Sequence, residues 1–142
     1  MGTPLPLQRT RYIGPNHWVL GFAAGWCLFF GVNEIWGRLS IEVDGTVLSS
    51  VTTAGNRPVT TYTLRGRDGA ETLYAAGATD ASLPRRLPNG TRIEKHRLEL
   101  SWARNGETVN DFSLKFYLGA CALGIALALW AFLQWRLHRA HA

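Results

Sequence analysis

The 142-residue chain has two cysteines, Cys27 and Cys121, and both fall inside long apolar runs. The interval between those runs, residues 37–115, has none. A disulfide scaffold is excluded, and whatever folds there is held by packing. The two cysteines are read as small hydrophobes rather than as a bond partnership. Histidine is scarce in the same interval, where His96 stands alone. A zinc centre needs three or four ligands, and no HExxH or CxxC spacing occurs. The G-x-S-x-G elbow, the P-loop and the dinucleotide glycine pattern are absent too. The acids Glu42, Asp44, Asp68, Glu71, Asp80, Glu94, Glu99, Glu107 and Asp111 are scattered among basic residues and turns. Solvated strand faces account for them more simply than paired catalytic carboxylates. No catalytic residue, no metal and no cofactor is therefore assigned.

Acid is missing from both ends of the chain. Residues 1–17 carry Arg9 and Arg11, and residues 136–142 carry Arg136 and Arg139, with no Asp or Glu in either. The net charge of +5 comes mostly from these ends, which argues against a nucleic-acid footprint. His138 and His141 belong to the same basic end.

What the chain has in quantity is two apolar blocks. Residues 18–36 contain 14 apolar residues, three Gly, and the polar pair Asn33 and Glu34. Residues 116–135 contain 17 apolar residues, two Gly and one Gln. At about 1.5 Å per residue each reaches about 28–30 Å, the thickness of a bilayer core. Trp18 and Trp36 bracket the first block; Phe116, Tyr117, Trp130 and Trp135 bracket the second. A chain this short has no shell to cover two such helices. Residues 32–37 offer no A-x-A-like cleavage site, so the first block reads as a retained anchor rather than a removed leader.

The expected organisation is a membrane protein: a tail at 1–17, spans at 18–36 and 116–135, an extracytoplasmic all-β module at 37–115, and a basic tail at 136–142. The short basic tails place both termini in the cytoplasm of a multi-pass inner-membrane protein. The module shows period-two runs at Ile41, Val43, Val47, Val51, over 59–64 and 71–76, and at Leu98, Leu100, Trp102. Turn residues at 65–69 and Asn105-Gly106 close two hairpins, the second between 92–103 and 107–112. The proline-flanked segment 84–88 reads as an ordered loop. Five or six strands in a curled sheet or open barrel are expected. Strand 39–48 should lie close to 107–112 near the membrane, paired antiparallel.

Within the spans, Gly21-xxx-Gly25, Ala120-xxx-Gly124 and Gly124-xxx-Ala128 are small-xxx-small spacings suited to helix packing or a homo-oligomer. Glu34 is the one acid in either span. It reads as an interfacial carboxylate paired with Arg38 one turn on, or as the site of an oligomeric pore.

The layout resembles a family of small bacterial membrane proteins, the domain-of-unknown-function family three-five-nine-two. The matching pieces are Gly45-Thr-Val47, Tyr62-Thr-Leu64 followed by Asp68-Gly69 and Tyr74, and the closing span from Phe116. The resemblance implies location and architecture and carries over no catalytic residue. The functional expectation is a non-enzymatic membrane protein whose module binds a protein partner, either as an accessory subunit of an envelope complex or as an immunity protein. The expected contact surface is Arg85, Arg86, Leu87, Arg92, Lys95 and Arg97. Besides that partner, only the lipid bilayer and further copies of the chain are expected to bind.

Overall fold

A computed structural model describes residues 17–56 and 58–140. Arg9 and Arg11, on which the sidedness partly rests, lie outside them, as do His141 and the side chains of His138 and Arg139.

Two helices, α1 (His17–Ser40) and α2 (Leu114–Ala140), flank six strands. These are β1 (Val43–Thr52), β2 (Thr60–Arg65), β3 (Glu71–Ala76), β4 (Arg92–Lys95), β5 (Trp102–Arg104) and β6 (Glu107–Val109). Both helices are long and apolar enough to cross a membrane. Only 22% of the apolar window of α1 and 11% of that of α2 are buried by the rest of the chain. A core helix of a soluble protein would be covered on most sides, so these are apolar surfaces that the chain itself leaves bare.

The helices pack on each other along one seam. On α1 the buried positions are Leu20, Ala24, Gly31, Glu34 and Arg38, the last two covered by the β module where the stripe continues past the helix pair. The steps Ala24, Gly31, Arg38 are seven residues each, the spacing that keeps one stripe facing a partner helix. On α2, Tyr117 and Gly124 are buried at the same spacing. The contact is close because glycine faces backbone. A Cβ on Gly31 would lie 2.5 Å from Cys121 Sγ and 2.8 Å from the Tyr117 carbonyl; one on Gly124 would lie 2.7 Å from Leu28 Cγ and 3.0 Å from the Ala24 carbonyl. Gly21 and Gly25 are different: a Cβ on either meets nothing within 4 Å. Of the small residues expected to pack, Gly124 is in the seam and Ala120 is at its margin, while Gly21, Gly25 and Ala128 face away from it.

The six strands form one antiparallel sheet in the order β3-β2-β1-β4-β5-β6, open at both edges and not closed into a barrel. The 65–69 turn joins β2 to β3 as the sequence indicates: Gly66 N–H reaches the Ala70 carbonyl at 2.8 Å, and Gly69 takes φ +81°. Asn105 and Gly106 take φ +52° and +86°, the conformation a two-residue hairpin needs. One face of the sheet carries the core: Val43, Val47, Tyr62, Leu64, Ala76, Ile93 and Trp102, joined by Leu83 and Leu87 from the 77–91 loop. That loop is pinned over the sheet. Tyr62 Oη donates to the Pro84 carbonyl at 2.7 Å and accepts from Leu87 N–H at 3.2 Å; Tyr74 Oη accepts from Leu83 N–H at 3.1 Å.

Four details differ from the sequence reading. The run 92–103 is two strands with a turn between them, because Leu98 adopts φ +67° and donates its N–H to the Leu39 carbonyl at 2.8 Å. His96 therefore lies just past β4 rather than on a strand. Val51 is 68% exposed, because a bulge between Val47 and Ser49 shifts the register and reverses the parity of the rest of β1. The ends of 39–48 and 107–112 do not pair, since β4 and β5 lie between β1 and β6.

Candidate functional site

The densest polar constellation sits where α1 leaves the helix pair and enters the β module. Arg38 is the hub. Its side chain is fully buried, with Nε donating to the Leu100 carbonyl at 2.9 Å. One terminal nitrogen donates to the carbonyls of Ser82 at 3.2 Å and Ala81 at 3.4 Å. The other pairs with the Asp111 carboxylate, which also accepts from Trp102 Nε1 at 3.2 Å. The Phe112 ring lies 5.8 Å from the guanidinium carbon. Buried Arg survives in protein only when its donors are spent in this way. Around it, Glu34 Oε2 accepts from the Ala81 N–H at 3.1 Å, and Tyr117 Oη donates to Asp80 Oδ2 at 2.6 Å.

Glu34 is thus 6% exposed and held against Ala81, not paired with Arg38 as its i+4 spacing suggests. The ion pair of Arg38 is with Asp111 instead. Asn33, beside it, is exposed. Every buried side-chain nitrogen and oxygen among the described residues has a hydrogen-bond partner. The constellation therefore acts as a clamp between helices and module.

A second buried cation lies close by. Lys95 is 1% exposed, and its ammonium donates to the carbonyls of His96 at 2.7 Å, Ile41 at 3.5 Å, and Glu99. Burial first, and the nearby positive charge of Arg38 second, push its pKa below the usual lysine value; Glu99 opposes them.

These placements redraw the expected contact surface. Leu87 is a core residue, 5% exposed, and Lys95 is buried, so neither is on the surface. Arg92 is engaged with Asp44. Arg85, Arg86 and Arg97 are exposed. The outer face of the sheet divides instead into two halves. Around β1 and β4 it is a charge ladder, with Arg67 between Glu94 at 3.3 Å and Asp44 at 3.7 Å, and His96 at 3.4 Å from Glu94. Around β2 and β3 it is uncharged between Val51, Thr61 and Ala75 across one row, and Ser49, Thr63 and Leu73 across the next. Leu73 is 75% exposed on β3, an edge strand whose only charge is Glu71.

Sequence reasoning missed the clamp because its acceptors are backbone carbonyls 43, 44 and 62 positions from Arg38. One signal was present: Arg38 continues the seven-residue phase of Ala24 and Gly31 and so belongs to the packed stripe rather than to the surface. Among the described residues no three His, Cys, Asp or Glu side chains come together as a metal set. Comparison with protein-family models, with curated proteins and with solved structures gave no match.

Proposed function

We propose that the chain is a non-enzymatic, two-span inner-membrane protein with both termini in the cytoplasm, and that its extracytoplasmic module takes a protein partner along the β3 edge. The observation that carries this reading is the unprotected edge itself. Natural sheets blunt their edges with Lys, Pro, bulges or a covering element. β3 has six paired residues on its β2 side, no Lys or Pro, and Leu73 bare on the outer face. An extended segment of a partner can add here as a further strand, with its outward side chains beside Leu73 and Ala75. The clamp at Arg38 supports the same reading, since it fixes the module to its anchor and presents the edge at a set height above the bilayer. An accessory subunit of an envelope assembly and an immunity protein both need this and no catalysis.

A photoreactive residue at Ala75, introduced into the full chain in native membranes, tests it. The expected result is one adduct with a different protein, lost when Leu73→Lys places a charge on the edge and absent when the probe sits at Arg97. Adducts with the chain itself only, or the same adduct in Leu73→Lys, overturn the β3 assignment. A reporter fused after Ala142 should be active on the cytoplasmic side.

A further inference from the structure

Two grooves meet at Lys115 and Phe116. The first, of about 950 Å³, runs between the 96–101 turn and the first turn of α2; Leu98, Glu99, Ser113 and Lys115 are on its walls. The second, of about 480 Å³, runs down the outside of the helix pair between Trp26 and Phe30 of α1 and Gly119 and Leu123 of α2. Its walls are apolar apart from Lys115 at its mouth. The antiparallel seam sets Gly31 beside Tyr117, so the first groove lies at the level where the helices leave the apolar layer and the second lies within it.

The polar groups of the first groove are of both signs, with buried Lys95 the cation that the Glu99 charge acts on from within the chain. Among the described residues neither Lys115 nor the Glu99 carboxylate forms a salt bridge. Leu98 forms the rim. It is 67% exposed in a left-handed conformation that leucine rarely adopts, and its N–H is tied to Leu39. The turn thereby sets a bare apolar side chain at the edge of the groove.

We propose that the joined grooves hold one phospholipid of the adjacent leaflet with a zwitterionic primary-amine headgroup. Its phosphate lies at Lys115 and Ser113, its ammonium at Glu99, and one acyl chain runs between Phe30 and Gly119. The order of the groups follows from the walls: a cation and a hydroxyl at the helix start, a carboxylate across the groove, and hydrocarbon only below. The proposal rests on the reading of α1 and α2 as membrane spans.

The test uses the full chain reconstituted with equal parts phosphatidylethanolamine and phosphatidylglycerol, then released in mild detergent for native mass spectrometry. One phosphatidylethanolamine per chain is expected to stay bound. Lys115→Ala should lower its retention about tenfold, the loss of one charge-assisted hydrogen bond. Glu99→Gln should erase the preference over phosphatidylglycerol. Gly119→Leu, where a Cβ meets nothing within 4 Å, should fill the lower groove and abolish binding, with an unchanged unfolding midpoint showing that the fold is kept. Equal retention of both lipids, or retention unchanged in Gly119→Leu, overturns the proposal. An alkaline carbonate wash of native membranes separates the two readings. Protein that stays in the pellet yet binds no lipid refutes the site alone; protein released to the supernatant refutes the spans and the site together.

Discussion

The guanidinium of Arg38 and the carboxylate of Asp111, 73 positions apart in the chain, form the ion pair that joins the end of the first helix to the approach of the second. Arg38 is wholly buried, whereas the Asp111 side chain is 36% exposed. The larger loss on breaking the pair therefore falls on the carbonyls of Leu100, Ala81 and Ser82. Arg38→Ala should destabilise the folded protein by about 3 kcal/mol, the scale for removing one member of a buried pair. Arg38→Lys should recover little of it, because one ammonium cannot serve four acceptors spread around a planar fork. Denaturant unfolding of the detergent-solubilised chain, followed by Trp fluorescence, measures both.

The glycines of the helix pair should divide sharply. Gly124→Ala and Gly31→Ala put a methyl against backbone atoms at 3.0 Å and 2.8 Å, and each should cost about 1–3 kcal/mol. Gly21→Ala and Gly25→Ala enter open space and should be neutral or slightly stabilising, since alanine favours helix. Titration with a denaturing detergent resolves the difference.

Stability should rise and then fall on the alkaline side. The Lys95 pKa is depressed by burial, so the unfolded chain, titrating near 10.5, holds this proton more strongly than the folded one. Stability therefore increases with pH from the folded value of Lys95 toward 10.5. Tyr62 and Tyr74 have the opposite sign: burial raises their pKa above 10.0, and the folded chain keeps protons that the unfolded chain releases. Above about pH 10 their contribution is lost. Lys95→Met should remove the rise and leave the fall, as read by thermal unfolding across about pH 7 to 11.

Leu98→Asn should stabilise the module by about 1 kcal/mol, because asparagine tolerates the left-handed conformation that leucine resists. The same variant shortens the apolar rim of the upper groove, so a higher unfolding midpoint should accompany weaker lipid retention.

The helices and the β2–β3 and β5–β6 hairpins are legible in the sequence because their signals are local: unbroken apolar runs, period-two alternation, and glycines where φ must be positive. The departures arise at single residues that redirect the chain beyond them. The bulge after Val47 reverses the parity of β1 and sends Val51 outward, although the pattern through Val47 is regular. The left-handed turn at Leu98 splits what reads as one strand, and no glycine marks it. The contact surface is illegible for a different reason. Lys95 looks like surface charge until the carbonyls of Ile41, His96 and Glu99 close around it, and those acceptors have no side-chain signature.

Two residues, Ile41 and Glu42, separate α1 from β1, and four, residues 110–113, separate β6 from α2. There is no slack on either side, and the Arg38 clamp closes the remaining freedom between them. The junction between helices and sheet is thereby built to resist a hinge. A load on the sheet should therefore pass as torque into the seam at Gly31 and Gly124, so that the module and the helix pair tilt together.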